Sequence, residues 1–553
     1  QLQTIGPKAF LGCSNLTSVS LPDTCNTIGA QAFQNCTNLQ TINLKGVQYI
    51  GDAAFNNAFI ASNNAIATSH PVSLNLSSAQ YLGVGAFDSS IWRDNKGTAG
   101  DANDDVQVLS GGINPNGTPV ASANLTETKQ LSKISSVTFG SQLNTLSTYA
   151  FNGANYLTSA DLSNCTNLAK VSDNAFRNTD NLASVKFSNT IDTIGQNAFS
   201  GAKLTGSLSF NTNGDLTINP SAFDTQALTT IDLSQVKGNI SIKQNAFSKD
   251  GTTNTSLTTL TLPAVGADNK ISSYVAIEEG AFQNCTALKL NWGTDTNASI
   301  PNNIAYIGDS AFSSDTLSTL NTLSYTNPLQ VTSALNDFGN GQFAGVTSGT
   351  TYFGPMLMSN NTNVKKIDLS GSNIQALNYG TFNDTTSGTA NSNSLYGIGT
   401  FNGASSLTDI TLPASCNQFG VGVYGGDNDH VTQYGAFSNC SSLQNLNFKN
   451  FAVNTKNADG QAIEPGFNQI TQDTWFQVAN IMNALMYFGQ QNIQANSTNP
   501  TIDSPTAMNA ITYSVNANPL ADTGTWRVDG HTDNSPYNQF GQHMDAVLVT
   551  ATG

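Results

Sequence analysis

The sequence has little charge, and only a minor part of that charge is positive. Charged residues make up 10% of the 553 residues, and 20 Lys and Arg stand against 36 Asp and Glu, for a formal net charge of -16. The negative electrostatic field of such a chain repels phosphate backbones and anionic lipid surfaces. We therefore expect no nucleic-acid partner and no insertion into a membrane.

Long apolar runs are also missing. The closest, residues 475–488, is shorter than the roughly 18 to 20 apolar residues that a membrane span needs, and it contains Gln477, Asn480 and Asn483. The first residues show no charged segment followed by an apolar one and lie inside a repeat. These features predict a soluble chain that is a fragment or a processed product.

Motifs for catalysis are absent from the sequence. It contains no Gly-x-Ser-x-Gly elbow, phosphate-binding loop, His-Glu-x-x-His pair or dinucleotide fingerprint. We therefore predict that the protein is not an enzyme, that it has no catalytic residue and that it uses no cofactor.

One segment weakly resembles a calcium-binding loop, because Asp101, Asn103 and Asp105 place oxygen ligands on alternate residues. The rest of that template fails, since Val106 stands where glycine is required and Gly112 where glutamate is required. A solvated loop without metal is the prediction, and these three residues are weak metal candidates.

What the sequence does contain is an internal repeat. The pattern Ile-Gly-x-x-Ala-Phe-x-x-Cys-x-x-Leu-x-x-Val-x-Leu begins at Ile5, returns from Ile28 with Ile in place of Val, and restarts at Ile50. Spacings of 20 to 29 residues are typical of leucine-rich repeats. The aromatic position recurs at Phe10, Phe33, Phe55, Phe87, Phe151, Phe176, Phe199, Phe223, Phe247, Phe282, Phe312, Phe437 and Phe467, with looser forms at Phe382 and Phe401.

Each part of this pattern has a structural meaning. The alternation in Leu-x-x-Ile-x-Leu predicts one short strand per coil, with its apolar residues on one face. Ile-Gly is expected to turn the chain, and Ala-Phe to place a ring where neighbouring coils stack. One coil cannot bury this apolar strip alone, so the pattern predicts a solenoid whose coils stabilise each other.

The full motif resembles the Treponema-type leucine-rich repeat of bacterial BspA-like surface proteins. The resemblance runs, with interruptions, from the first residue to about Phe448. It implies a right-handed leucine-rich-repeat solenoid of the α/β horseshoe class, built here mostly of short β-strands and turns, on an extracellular protein that is often an adhesin. It implies no catalytic residue.

The domain organisation follows from where the repeat holds and where it fades. We predict a solenoid over 1–450, with a long loop insertion at about 88–136, and a C-terminal cap over 451–553. Residues 475–488 are predicted to form a helix that seals the core, or alternatively one that docks a partner. Three predicted strands, at 510–515, 525–528 and 546–550, could form a small appended β unit.

The seven cysteines follow the repeat rather than a metal or disulfide pattern. Cys13, Cys36, Cys285 and Cys440 each come three residues after a repeat Phe, where other coils carry Ala. A position shared by Cys and Ala favours small buried thiols. A bridge between Cys13 and Cys36 stays open as an alternative, because adjacent coils lie about one strand apart.

The outward residues of the predicted strands are the candidate binding surface, which we expect to be concave. They are short polar and charged side chains without aromatic rings, which disfavours a stacking surface for sugars or single-stranded nucleic acid. The alternative is a merely hydrated polar ladder, with binding left to the inserted loops. The candidate binding residues are Asn43, Asp161, Lys186, Asp232, Asp368, Asp409 and Asn447.

These features together predict an extracellular binding or adhesion protein, on the cell surface or secreted. It would engage a macromolecular partner, protein or glycan, through the concave face or the inserted loops. A structural spacer or surface-layer scaffold is the alternative, and a hydrolase in segment 88–133 or in the C-terminal unit is a third. The oligomeric state is left open.

Overall fold

The computed structural model describes two stretches of the chain in different detail. Up to residue 312 it describes 2–97, 105–114, 117–224, 227–248, 252–265, 273–278, 280–290, 297–301, 303–307 and 311–312. Beyond that it describes 322–324, 351–352, 364–369, 374–377, 406–412, 418–419, 422–425, 431–434, 445–449, 512–516, 523–528 and 546–550. The chain forms two compact units, residues 1–264 and 265–553. The boundary predicted near residue 450 stays a prediction.

In residues 1–264, a parallel ladder with one strand per coil runs through the repeats. Each strand contains a polar or aromatic residue next to a buried Ile, Leu or Val. β-branched residues suit this half-buried geometry. We call it the long ladder. Its strands are Thr4–Ile5, Thr27–Ile28, Tyr49–Ile50, Tyr81–Leu82, Thr145–Leu146, Lys170–Val171, Thr193–Ile194, Leu216–Ile218 and Ile240–Ile242.

A second set of parallel strands lies at the predicted Leu-x-x-Ile-x-Leu segments, and we call it the second ladder. The prediction of one strand per coil was therefore wrong: Ile5 and Ile28 are strand residues, and Gly6 and Gly29 follow their strands. A strand of two residues is too short to show an alternating pattern. The second-ladder pairings are Ser18–Val19 with Thr41–Ile42, Val72–Leu76 with Ile134–Phe139, Ser159–Asp161 with Ser184–Lys186, and Gly206–Ser209 with Leu228–Asp232 and Thr259–Thr261.

The third side of each coil is a tight turn around the repeat Phe. In most of these turns two residues take left-handed backbone angles, one two positions before the Phe and one two positions after it. Around Phe176 they are Asn174 and Asn178, at φ 57° and 59°. Asn and Gly tolerate this conformation best. Turns of neighbouring coils are joined by backbone hydrogen bonds, such as Phe176 N to Ala198 O at 2.8 Å.

The Phe rings from Phe10 to Phe247 form one continuous column, as predicted. Phe33 is fully buried, and its ring lies parallel to those of Phe10 and Phe55 with centroids 5.0 and 5.1 Å away. The column passes directly from Phe87 to Phe151, at 5.1 Å, although 64 residues separate them in sequence. The insertion therefore leaves the stacking of the coils intact.

The insertion itself was predicted to be a loop, and this was wrong. Three of its segments, Val106–Val108, Ser90–Asp94 and Leu125–Lys129, pair in that order as an antiparallel sheet, which we call the inserted sheet. A 3-10 turn, Ser122–Asn124, precedes the third strand. Asp, Asn and Gly are depleted in strands, so the composition of this segment concealed them.

Two further elements accompany the insertion. Leu131–Ser132 returns to the coils by pairing antiparallel with Ile60–Ala61. A short helix, Asn64–Ser69, was not predicted; the Asn63 side chain caps it by accepting a hydrogen bond from Ile66 N at 2.9 Å.

In residues 265–553, the described strands again form parallel ladders, and two repeat Phe rings again stack. Phe282 and Phe312 stack at 5.6 Å, and the predicted C-terminal strands appear as Thr512–Asn516, Thr523–Val528 and Ala546–Thr550. The predicted helix at 475–488 and the repeat positions Phe382, Phe401, Phe437 and Phe467 lie outside the described residues. One sheet contains Asn297–Ser299, Thr322–Ser324, Lys366–Asp368, Asp409–Leu412, Asn445–Lys449 and the three C-terminal strands. The other pairings are Val275–Ile277 with Ile304–Ile307, Ile374–Leu377 with both Thr351–Tyr352 and Gln418–Phe419, and Gly422–Gly425 with Val431–Tyr434.

Four of the five described cysteines are buried thiols, as predicted: Cys25, Cys36, Cys165 and Cys285. Burial raises the pKa of Cys285 to about 12, so this thiol is unreactive at neutral pH. Cys13 is the exception, because it is exposed.

Candidate functional site

The polar residues predicted to bind a partner follow the strands of the second ladder. Asp161 and Lys186 occupy paired positions on neighbouring strands, and Lys186 Nζ lies 3.7 Å from Asp161 Oδ2. Their side chains are 53% and 72% exposed, so the ion pair is weak and both groups remain accessible to solvent. The structure brings these two predicted residues together.

The other candidates of residues 1–264 lie apart from this pair. Asp232 is half-buried and is aligned with Ser209 and Thr261 on the adjacent strands. Asn43 is exposed and follows the strand Thr41–Ile42, in a separate strand pair. Strand pairing does not join either residue to Asp161 and Lys186.

In residues 265–553, the candidates share one set of paired strands. Lys366 is aligned with Asp409, and its Nζ lies 4.0 Å from Asp409 Oδ2. Asp368 and Asn447 are both aligned with Thr411 of the strand between them. These residues are therefore arranged along the strands as the repeat predicts.

Several of these carboxylates and amides have a local structural role. Asp161 Oδ1 accepts a hydrogen bond from Ser163 N at 3.0 Å, and Asp232 Oδ1 accepts one from Ser234 N at the same distance. Asn43 and Lys45 N form the equivalent bond at 3.1 Å. Such bonds from a side chain to the backbone two residues later stabilise turns. The signal in the sequence is an Asp or Asn followed by Leu and then Ser or Lys.

The inserted sheet is held on the turn side of the coils by a buried polar network. Asp88 is fully buried, and its Oδ2 accepts a hydrogen bond from Trp92 Nε1 at 2.8 Å. Its Oδ1 accepts bonds from Ser90 N at 2.8 Å and from Asn152 Nδ2 at 3.0 Å. Burial raises the pKa of Asp88 to about 7 in spite of these donors.

A partly buried ion pair continues this network. Glu127 Oε2 accepts a hydrogen bond from Arg177 Nη1 at 2.7 Å, with the two side chains 13% and 28% exposed. Glu127 Oε1 accepts bonds from Ser90 Oγ and Asn152 Nδ2, both at 2.9 Å. The carboxylate therefore joins two strands of the insertion to two coils, and such fully bonded networks fix one arrangement.

Tyr149 is the aromatic contact between the coils and the insertion. Its ring lies 5.2 Å from that of Trp92 at 74°, and the backbone of Gly111 packs so closely that a Cβ there would lie 2.5 Å from the ring. Tyr149 has a φ of 60° at a turn position where Asn174 and Asn197 stand in the next coils. Gln31 and Ala53 adopt the same left-handed angle at this position of other turns, so it is the contact with Trp92 that distinguishes Tyr149.

A polar cleft of about 530 Å³ opens beside the third strand of the inserted sheet. Leu125 and Glu127 of that strand line one wall, and Trp92 and Tyr149 are also at its surface. Its other lining residues are Ser122, Asp173, Asn174, Arg177, Gln196 and Asn197. The lining is mostly amides, paired charges and aromatic edges, a set that can exchange hydrogen bonds with a polar ligand.

The weak calcium candidates gain no support. Asp101 and Asn103 lie outside the described residues, and the described residues contain no group of three or more His, Cys, Asp or Glu placed to hold a metal, Asp105 included. Likewise, none of the described helices is long and apolar enough to cross a membrane.

Sequence reasoning missed the cleft because its two sides come from distant segments. Glu127 and Arg177 are 50 residues apart; Glu127 belongs to the inserted sheet and Arg177 to a turn of the coils. The available signals were Trp92, a lone large aromatic residue in a polar insertion, and Tyr149 at a turn position that suits Asn or Gly.

Comparison with known proteins gives weak structural matches and a clear family match. A leucine-rich repeat protein from Bacteroides ovatus ATCC 8483 is 18% identical, with 81% of this chain and 83% of that chain covered and a TM-score of 0.35. A leucine rich cell surface protein from Faecalibacterium prausnitzii A2-165 is also 18% identical, with the same coverage and a TM-score of 0.27. Pneumococcal vaccine antigen PcpA is 13% identical, with 83% and 85% covered and a TM-score of 0.28.

TM-scores this low support no conclusion about this chain. No curated protein matches it. The family assignment rests on the match of the sequence to a family model. Residues 1–79, 128–254, 253–333 and 334–431 match the family described as BspA type Leucine rich repeat region (6 copies). The unmatched stretch before residue 128 contains most of the insertion, as expected for a segment that is not part of the repeat. The chain therefore belongs to the BspA-type leucine-rich-repeat family, whose repeat arrays generally serve as protein-interaction scaffolds.

Proposed function

We propose that the protein is an extracellular binding protein, on the cell surface or secreted, that engages a macromolecular partner through the second ladder and the insertion. The observation that supports this most directly is the docking of the inserted sheet by Asp88, Trp92, Glu127 and Arg177. Recognition residues are commonly carried by inserted segments on a rigid scaffold. An array needed only for length would gain nothing from this addition.

The partner is a protein or a glycan in this proposal, and the exposed or half-buried carboxylates of the ladder strands attract its cationic groups. Asp161, Asp232, Asp368 and Asp409 lie along strands of the second-ladder type in the two units. Carboxylates repeated along parallel strands favour a partner with cationic groups, and their effect falls as salt increases.

The proposal is tested by a binding screen of the full chain against extracellular-matrix proteins and a glycan array. Each partner found is then measured with two variants. In the ladder variant, Asp161, Asp232, Asp368 and Asp409 are all replaced by Asn, which removes charge and keeps the oxygen that Asp161 and Asp232 use in their turns. In the insertion variant, Tyr149→Asn removes the ring that Trp92 packs on and places a residue that suits the turn.

We expect the ladder variant to weaken a cationic partner about tenfold at low salt, with a smaller loss at high salt. The insertion variant should weaken any partner that touches the inserted sheet. Equal affinity of both variants and the original chain for every partner would contradict the proposal, provided that circular dichroism shows unchanged secondary structure.

A spacer or surface-layer scaffold is the second candidate, and one observation favours it. Asn43, Asp161 and Asp232 already use a side-chain oxygen in their own turns, so part of the ladder polarity serves the coils. A screen without any saturable binding, combined with ordered self-assembly of the chain, would support this alternative.

A further inference from the structure

Within the described residues, the third strand of the inserted sheet, Leu125–Lys129, has a free edge. It pairs with Ser90–Asp94 on one side, and on its other side it is the last strand of the sheet. Among the residues that the structure describes, none forms a backbone hydrogen bond to that outer edge. A strand edge of this kind presents unpaired N–H and C=O groups to whatever approaches it.

The alternation of hydrogen bonds along the strand pair shows which residues carry the unpaired N–H and C=O groups. Asn95 N donates to Asn124 O at 2.8 Å, so position 124 bonds inward to the neighbouring strand. Inward and outward residues alternate in an antiparallel pair, and Thr126 and Thr128 therefore also bond inward. The outward N–H and C=O groups belong to Leu125, Glu127 and Lys129.

The cleft lies along this edge, and its floor is made of turns that the inserted sheet leaves uncovered. The sheet follows the coils in order: Gln107 bonds Asn35, Trp92 packs on Tyr149, and Glu127 bonds Arg177. The floor beyond is formed by the turns of the next coils, with Asp173, Asn174, Gln196 and Asn197.

The spacing between neighbouring coils is close to the spacing between neighbouring strands of a sheet. Coils repeat at ring distances of 5.3 to 5.4 Å around Phe176, and strands in a sheet lie about 4.8 Å apart. A fourth strand added to the free edge would lie over the next turns, with one row of its side chains facing their amides and the carboxylate of Asp173.

We propose that this edge and cleft bind an extended peptide segment of a partner protein, which joins the inserted sheet as a fourth strand. Main-chain hydrogen bonds to Leu125, Glu127 and Lys129 hold the segment, and the floor selects its side chains. The floor favours hydroxyl and amide side chains, with one basic side chain near Asp173. The carboxylate of Asp173 is 45% exposed, and its pair with the exposed Lys170, at 3.7 Å, is weak enough for a ligand cation to join it. This site is separate from the second ladder.

The test uses the full chain and a fluorescein-labelled eight-residue peptide of alternating threonine and glutamine with one central lysine. Fluorescence anisotropy at physiological salt gives its affinity. Lys129→Pro removes an outward N–H, whereas the matched control Lys129→Ala removes the same charge and keeps that N–H. We expect at least tenfold weaker binding for Lys129→Pro and no more than a twofold change for Lys129→Ala.

A second variant and a second peptide guard against a folding defect at residue 129. Gln196 is exposed on the floor, so Gln196→Trp fills the cleft without changing a residue of the strand and should also weaken binding at least tenfold. The same peptide N-methylated at every residue keeps its side chains, loses its N–H donors and should not bind measurably.

Three results would overturn the proposal. They are equal loss with Lys129→Ala and Lys129→Pro, full binding by the N-methylated peptide, and dimerisation of the chain that Lys129→Pro abolishes, which would make a second copy the occupant. The ladder variant should bind the peptide normally, so this proposal and the proposed function can fail independently.

Discussion

At residue 33, one phenylalanine ring fills the space between two coils. Phe33→Ala removes stacking contacts on both faces of the column, and we expect it to cost about 3 to 5 kcal/mol in free energy of unfolding. Urea unfolding followed by circular dichroism measures this cost. Phe10→Ala is the control: Phe10 is only half-buried, so the same truncation there should cost clearly less. Equal costs at both positions would contradict the role of burial between coils.

Two substitutions of Asp161 distinguish the effect of its charge on stability from the effect of its hydrogen bond in a turn. Asp161→Asn keeps the oxygen that accepts from Ser163 N, and we expect a change within about 0.5 kcal/mol. Asp161→Ala removes that oxygen and should cost about 1 kcal/mol. Thermal unfolding of the two variants compares them. If Asn and Ala cost the same, the turn bond does not contribute to stability.

The repeat Phe residues and the buried cysteines could be predicted residue by residue, because each recurs at a fixed place in the repeat. Asn174 and Asn178 show a second regularity that was missed. Asn or Gly stands two positions after most of the repeat Phe residues, and in some coils also two positions before it, and the structure shows that these are the left-handed positions of the turn. The position before the Phe is variable, with Gln31, Ala53 and Tyr149 in three of the coils, and the Tyr149 ring contacts Trp92 of the insertion.

On the scale of elements, the insertion depends on a buried carboxyl group whose proton affinity changes on folding. Burial raises the pKa of Asp88 from 3.8 to about 7. The folded chain therefore takes up a proton between these values, so this contribution to stability is fully present below pH 3.8 and is lost as pH rises through 7. We expect the free energy of unfolding from this group to fall over that range.

Asp88→Asn provides the comparison for this pH effect. The variant cannot titrate at residue 88, so the stability of the original chain relative to the variant should fall as pH rises from 4 to 8. Urea unfolding at a series of pH values measures the difference. A difference that stays constant would mean that Asp88 does not change its protonation on folding. Other carboxyl groups titrate in both proteins and cancel in the comparison.

The two ladders show which strands the sequence pattern could predict and which it could not. The second ladder was predicted from the Leu-x-x-Ile-x-Leu alternation, which extends over enough residues to be recognised. The long ladder was missed because strands such as Thr27–Ile28 contain two residues and obtain their hydrogen bonds from neighbouring coils. Their existence depends on stacking rather than on local preference.

On the scale of the molecule, residues 1–264 form a compact unit with their own Phe column and ladders. The stability of a repeat array is a sum of coils and of the interfaces between neighbours. We therefore expect residues 1–264, expressed alone, to fold and to unfold cooperatively. Circular dichroism with thermal melting tests this, and a fragment without a cooperative transition would contradict it. The fragment carrying Phe33→Ala should melt at a lower temperature.

The sequence by itself determined the family, the stacked coils, the Phe column and the polar character of the second ladder. These follow from a motif repeated within about one coil, where neighbours in sequence are also neighbours in space. Only the tertiary structure decided that the insertion is a docked sheet, that Glu127 meets Arg177, and that Asp88 is buried. The physical reason is that these contacts join segments tens of residues apart. Their formation depends on the surface that the finished coils present, which no local pattern describes.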